Sequence, residues 1–114
     1  MTIKGEAQLV RVFIGENDTW HGKPLFEAIV LRAREEGLAG ATVTRGIEGF
    51  GASSRMHTTR LLELSSDLPV VVELVDVHAR IARFLPILGE MVGDGLVTTE
   101  SVHVVAYRGS SSQD

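Results

Sequence analysis

The sequence predicts a single α+β domain with the element order β-α-β-β-α-β. The segment QLVRVFI (8–14) alternates its apolar residues between two faces, as a strand does, and LPVVVELVD (68–76) is further strand material. Two other segments repeat apolar residues every three to four positions, as amphipathic helices do. A length of 114 residues allows one domain with a core of its own.

The first half of the chain divides into a strand, a helix and a second strand. The first strand is expected over Gln8–Ile14, and a polar loop, GENDTWHGK, follows it. The helix is expected from about Pro24 to Glu36, because proline is tolerated in a first helical turn and Gly37 supplies a stop. The second strand is expected over Gly40–Thr44 and leads into a glycine-rich stretch.

The second half completes the pattern. TTRLLEL (58–64) and LPVVVELVD predict strand material interrupted by a turn at SSD. Asp76 is a candidate N-cap for the second helix, Pro86 predicts a kink or a restart within it, and GDG (93–95) ends it. The last strand is expected over Val102–Tyr107. Two helices covering one face of a four-stranded antiparallel sheet form the ferredoxin-like arrangement.

The other face of this sheet predicts self-association. The first strand and VVVELV both offer apolar residues to the two faces, so a monomer would leave an apolar face in water. We therefore expect that face to be buried against other subunits. We expect the domain to cover residues 1–108 and the polar, serine-rich residues 109–114 to form a disordered tail.

Composition excludes several classes of protein. A net charge of -4 disfavours a nucleic-acid binder, which needs a basic surface for phosphates. The absence of cysteine excludes disulfides, thiolate metal sites and cysteine nucleophiles. No apolar run is long enough to span a membrane and no signal peptide is recognisable, so we expect a cytoplasmic protein without direct membrane insertion. No nucleophile and base stand at a readable spacing, so we expect no catalytic residue and no enzyme.

The polar loop after the first strand is a candidate metal site. Glu16, Asp18 and His21 could bind a divalent cation through oxygen and imidazole ligands. The alternative is a solvated turn whose acids face the positive end of the following helix. A nucleotide-hydrolysing P-loop is excluded, because six residues separate Gly15 from Gly22 and the required Ser or Thr is missing after the lysine.

Two glycine motifs are candidates for binding a phosphate. Backbone N–H groups bind phosphate, and glycine lets the backbone approach it closely, so GFG (49–51) and GDG (93–95) are suitable places. Each glycine taken alone is explained equally well by a turn. The cations that could complete such a site are Arg45, Arg55, Arg60 and Arg108.

These motifs resemble the PII signal-transduction superfamily, and more closely the bacterial and archaeal PII-like proteins of uncharacterised function. The resemblance rests on GENDTWHGKPL (15–25), GATVTRGIEGFG (40–51), His57, LSSDLP (64–69) and GLVTTESVHVVAY (95–107). It implies a homotrimer that binds ATP, ADP or AMP as an effector in a cleft between subunits, with no required cofactor. It also implies a mobile loop, about residues 45–59, that touches a partner protein, for which a membrane transporter is a candidate class.

Carried over by position, the resemblance also implies a set of ligand-binding residues. These are Thr42, Val43, Gly49, Phe50, Gly51, Arg55, His57, Gly93, Gly95 and, reaching a neighbour's phosphates, Arg108. The sequence departs from the family pattern at Leu96, where true PII proteins have a lysine, and the loop lacks the tyrosine that some PII proteins modify. The alternative is a metal- or anion-responsive trimer resembling the divalent-cation tolerance proteins, with Glu16, Asp18 and His21 as its site.

Overall fold

A computed structural model describes residues 1–51 and 67–109 of the chain. Its elements, in chain order, are β1 (Thr2–Gly15), β2 (Thr19–Trp20), β3 (Lys23–Pro24), α1 (Leu25–Glu35), β4 (Gly40–Arg45), β5 (Pro69–Asp76), α2 (His78–Met91) and β6 (Leu96–Arg108). The predicted strand material in TTRLLEL lies outside the described residues, as do Arg55 and His57 and the predicted tail beyond Gly109. Neither described helix is long and apolar enough to cross a membrane.

The four long strands form one antiparallel sheet in the order β4-β5-β1-β6. β1 and β4 therefore run parallel to each other with β5 between them, which is the split β-α-β arrangement of the ferredoxin-like fold. This confirms the predicted fold class. Because β1 is central, its alternating residues are paired on both sides, by Val72 for Val12 on one side and by Val97 on the other.

The core lies between the sheet and the two helices. Alternate residues of β1 and β5 point to this side, and the apolar stripes of α1 and α2 cover them. The buried cluster consists of Val10, Val12, Ile14, Leu25, Ala28, Ile29, Ala33, Val70, Val72, Leu74, Ile81, Phe84, Leu88 and Met91.

The opposite face of the sheet is not apolar throughout, contrary to the expectation from its strands. Arg11, at its centre, donates hydrogen bonds to Glu73 on β5 (2.9 Å) and to Glu100 on β6 (2.5 Å). These two hydrogen bonds, the one to Glu73 first, raise the pKa of the Arg11 guanidinium above its ordinary value. Half-buried Leu9 and Phe13 flank the arginine on β1. The open face is therefore a mixed surface with an ion-paired centre.

β1 and β6 are longer than predicted, and their outer halves form a two-stranded ribbon. β1 begins at Thr2 and β6 runs to Arg108, so both extend past Asp76, where β5 ends. The register shifts between Ile3 and Gly5, and Gly5 has φ +97°. This bulge breaks the period-two pattern that marks a strand, which is why the sequence did not reveal the N-terminal extension of β1.

The start of α2 also differs from the prediction. The N-cap is Val77, with no side-chain cap, and Asp76 is instead the fully buried last residue of β5. Its carboxylate accepts hydrogen bonds from the backbone N–H of Ala39 (2.9 Å) and of Val77 (2.6 Å). A further 3.7 Å contact joins this carboxylate to Arg80. Asp76 therefore ties the α1–β4 connection to the end of the sheet.

The two helices keep close to their predicted ranges. α1 begins one residue after Pro24, and Gly37, at φ +81°, follows its end, as expected for a helix stop. α2 runs unbroken through Pro86, so the helix does not restart there. Phe84 and Leu88 are both buried on either side of the proline, and this packing outweighs the one helical hydrogen bond that proline removes.

Candidate functional site

The end of β4 and the start of β5 lie next to each other in the sheet, where Arg45 pairs with Val70. The backbone N–H of Gly46 donates to the carbonyl oxygen of Pro69 (2.7 Å). A Cβ atom at Gly46 would lie 3.1 Å from the Pro69 ring and 3.3 Å from its carbonyl oxygen, so this close approach favours glycine. The two ends of the connection between β4 and β5 are therefore held together at Gly46 and Pro69.

The turn after β1 braces both ends of that connection. The N–H of Glu16 donates to the Leu68 carbonyl (2.8 Å), and the N–H of Asn17 donates to the Asp67 carboxylate (3.0 Å). On the other side, the Arg45 guanidinium donates to the Glu16 carboxylate. We call the three meeting segments, 15–18, 45–46 and 67–69, the loop junction.

The second glycine motif lies at the same end of the sheet. A Cβ atom at Gly95 would lie 2.9 Å from the Val92 side chain, 3.1 Å from the Ile14 side chain and 3.1 Å from the Phe13 carbonyl oxygen. Close packing against β1 therefore favours glycine at position 95, independently of any role of Gly95 in binding a ligand. Gly93 has open space around it, because a Cβ atom added there would have no neighbouring atom within 4 Å.

Within a single subunit, the remaining predicted ligand residues lie in different parts of the fold. Thr42 is exposed on the open face opposite Glu73, whereas the neighbouring Val43 packs against the core on the helix side. Phe50, at 68% exposure, lies in the described start of the loop. Arg108 pairs with Thr2 at the far end of β6, roughly 40 Å along the strand from the glycine motifs at about 3.3 Å per residue.

Glu16, Asp18 and His21, the predicted metal ligands, do not converge. Glu16 pairs with Arg45, the Asp18 carboxylate accepts the N–H of Gly15 (3.0 Å), and the His21 ring stacks on Trp20 with centroids 4.2 Å apart. Within residues 1–51 and 67–109, no group of three His, Asp or Glu side chains is placed to hold a metal ion. The acidic residues of this loop instead serve the turn and the loop junction.

His21 belongs to a short hairpin that the sequence did not predict. His21 and Gly22 have φ +49° and +83°, as in the two-residue type I′ turn that joins β2 to β3. Strands of two residues are too short to show a periodic pattern. Trp20 packs one side of this hairpin against the core, and a groove of about 220 Å³ separates the hairpin from the exposed Leu31 on α1.

The charge around the loop junction is predominantly negative. Its own segments carry three carboxylates, those of Glu16, Asp18 and Asp67, against one guanidinium, that of Arg45. Asp94 adds a further carboxylate, since it lines the same cavity as Asp18. The pairing of Arg45 with Glu16 joins residues 29 positions apart, so no local spacing in the sequence indicates it.

Comparison with known proteins identifies relatives of this sequence. The model of the DUF190 family (Uncharacterized ACR, COG1993) matches residues 7–104. A UPF0166 protein of Aquifex aeolicus is 42% identical over 100 residues, which cover 86% of this chain and 92% of the relative.

Solved structures of low sequence identity share the fold. A candidate PII-like signalling protein of Thermus thermophilus (TTHA0516) superposes with a TM-score of 0.61 at 19% identity, covering 89% of this chain and 91% of its own. CPII of Thiomonas intermedia K12, bound to ADP and bicarbonate, superposes with a TM-score of 0.58 at 13% identity, covering 91% of each chain. The same protein bound to ADP, AMP and acetate gives a TM-score of 0.57 at 12% identity, covering 88% of this chain and 89% of its own. The fold is thus that of PII-like proteins, and the family match over residues 7–104 shows that the chain belongs to the DUF190 family.

Proposed function

We propose that this chain is a PII-like regulatory protein that binds a small ligand, with an adenine nucleotide as the candidate, in a cleft between subunits. The ligand state would be passed to a partner protein through the loop of about residues 45–59. The shared fold supports this proposal, as does the presence of ADP in CPII, whose fold superposes on this chain.

The observation that carries the proposal is the loop junction beside the GDG motif. Both ends of the loop are held at Gly46 and Pro69, at the same end of the sheet as Gly93 and Gly95. A ligand bound there would touch the base of the loop and could favour one of its conformations. Such a switch works only if the ligand binds one state of the loop more tightly than the other.

Arg108 supplies the argument for a site between subunits. Within one chain it lies at the far end of β6 from the glycine motifs, so it could meet a phosphate beside them only from another subunit. We therefore propose a homotrimer, as the PII resemblance implies, with Arg108 of one subunit completing the site of its neighbour. Arg108 would then compensate in part for Leu96, which stands where true PII proteins have a lysine.

The rest of the proposal follows from the resemblance and from the sequence. We propose a cytoplasmic regulator that lacks catalytic activity and has a protein partner, with a membrane transporter as the candidate class. Residues 1–108 would form a single PII-like domain. The candidate effectors are ATP, ADP and AMP.

Isothermal titration calorimetry with ADP, ATP and AMP tests the proposal, with sedimentation velocity to measure the assembly. We expect a trimer that binds at least one nucleotide. We expect Arg108→Ala to weaken that binding by about tenfold or more, because the variant loses a charge-assisted hydrogen bond to the ligand. Arg83→Ala is the matched control, because Arg83 is an exposed arginine on α2.

Two results would contradict the proposal. The first is the absence of heat of binding with all three nucleotides at millimolar concentration. The second is a response to divalent metal alone that Asp18→Ala removes, which would favour the metal-responsive alternative. Chromatography of the nucleotide after prolonged incubation checks that it is not hydrolysed.

A further inference from the structure

The ion pair between Arg45 and Glu16 occupies the base of the proposed signalling loop. Arg45 is the last residue of β4, and its side chain is 62% exposed although it is paired. Glu16 is the first residue after β1, and its side chain is 22% exposed. The pair is thus open to solvent on the arginine side and sheltered on the glutamate side.

Charge decides which group at the junction could meet an anion. Of the described residues in the three junction segments, Arg45 is the one with a positive charge, while Glu16, Asp18 and Asp67 are carboxylates. Among the charged side chains of these three segments, the carboxylates would repel an arriving anion and the Arg45 guanidinium would attract it. The guanidinium already holds a carboxylate of the chain itself.

We propose that Arg45 binds the anionic group of the ligand, a phosphate or a carboxylate, and that Glu16 takes its place when the ligand is absent. Glu16 is then an internal competitor that lowers the affinity of Arg45 for the anionic group of the ligand. A guanidinium suits the role because its planar array of donors matches phosphate as well as carboxylate. This inference rests on the proposed function, and it names a binding residue and a form of regulation for the same site.

The backbone of the junction permits this exchange without unfolding. The N–H of Glu16 stays bonded to the Leu68 carbonyl, and the N–H of Gly46 stays bonded to the Pro69 carbonyl. Neither bond involves the two side chains, so the Glu16 carboxylate can be displaced while the turn and the strand ends remain in place. What changes is the side-chain link between the turn and Arg45, the residue from which the loop starts.

The test measures the affinity of the whole protein for ADP and for inorganic pyrophosphate in four variants. Glu16→Gln should bind more tightly than the wild type by about 1.5- to 5-fold, the range that an exposed ion pair supports. Arg45→Gln should bind about tenfold more weakly or worse. Glu27→Gln, which removes an exposed carboxylate of α1, is the matched control and should bind as the wild type does.

The double variant distinguishes competition from a general change in charge. If Glu16 acts through Arg45, then Glu16→Gln has no effect on affinity in the Arg45→Gln background. Circular dichroism and thermal unfolding establish that each variant is folded.

Each outcome has a definite meaning. If the wild type binds ADP and Glu16→Gln binds it no more tightly, the competition is refuted while the proposed function stands. If Glu16→Gln tightens binding equally with and without Arg45, the effect is general and the inference is also refuted. If neither the wild type nor Glu16→Gln binds ADP or pyrophosphate, both the inference and the nucleotide proposal are refuted.

Discussion

Replacing Asp76 is the sharpest test of what holds the far end of the fold together. This carboxylate is fully buried and accepts two backbone hydrogen bonds, from Ala39 at 2.9 Å and from Val77 at 2.6 Å. The first bond spans 37 residues and fixes the connection between α1 and β4. Asp76→Ala removes both acceptors at once.

The expected loss of stability follows from the two backbone N–H donors that would lose their acceptor. An unsatisfied buried donor costs about 1–3 kcal/mol. Ala39 and Val77 are only partly buried, so water can reach them and the lower end of that range applies to each. We expect Asp76→Ala to lower the free energy of unfolding by about 2–3 kcal/mol. Asp76→Asn keeps one acceptor oxygen and should cost about 1–2 kcal/mol.

Urea unfolding followed by far-ultraviolet circular dichroism measures these differences. All variants are compared at one protein concentration, since stability depends on concentration when unfolding is coupled to subunit dissociation. Glu90→Gln, an exposed change on α2, is the control and should lie within about 0.5 kcal/mol of the wild type. An Asp76→Ala protein that is equally close to the wild type would refute the role assigned to this carboxylate.

Two further changes test the close packing at Gly95 and the contact between the β1–β6 ribbon and the α1–β4 connection. Gly95→Ala should destabilise the fold by about 1–3 kcal/mol, because the new Cβ would lie 2.9 Å from the Val92 side chain. Gly93→Ala is the control and should cost far less, because position 93 has open space around it. Equal urea midpoints for the two variants would contradict this prediction. Tyr107→Phe removes the hydrogen bond that the tyrosine hydroxyl donates to the Ala39 carbonyl at 2.9 Å, and should cost about 0.5–1.5 kcal/mol. Hydrogen exchange should then quicken at the outer ends of β1 and β6, and unchanged exchange there would count against the contact.

The candidate site was only partly visible in the sequence. Glycine motifs at residues 49–51 and 93–95 were recognisable as backbone features, and the structure brings Gly93–Gly95 and the loop ends to one end of the sheet. Glu16 was also visible, but as a metal ligand, because an acidic loop with a histidine satisfies the usual composition of a cation site. Its actual partner, Arg45, is 29 residues away and belongs to a different strand.

By itself, the sequence determined the types and order of the main elements, and through them the fold class. This was possible because alternation in β1 and the helical period in α1 and α2 are local properties, set by which side of each element must face the core. Only the tertiary structure decided that Asp76 is a buried brace instead of a helix cap. Only the tertiary structure decided that Glu16 closes on Arg45 and that Arg108 lies far from the glycine motifs. These contacts depend on the strand order β4-β5-β1-β6 and on its register, which join residues that no spacing along the chain relates.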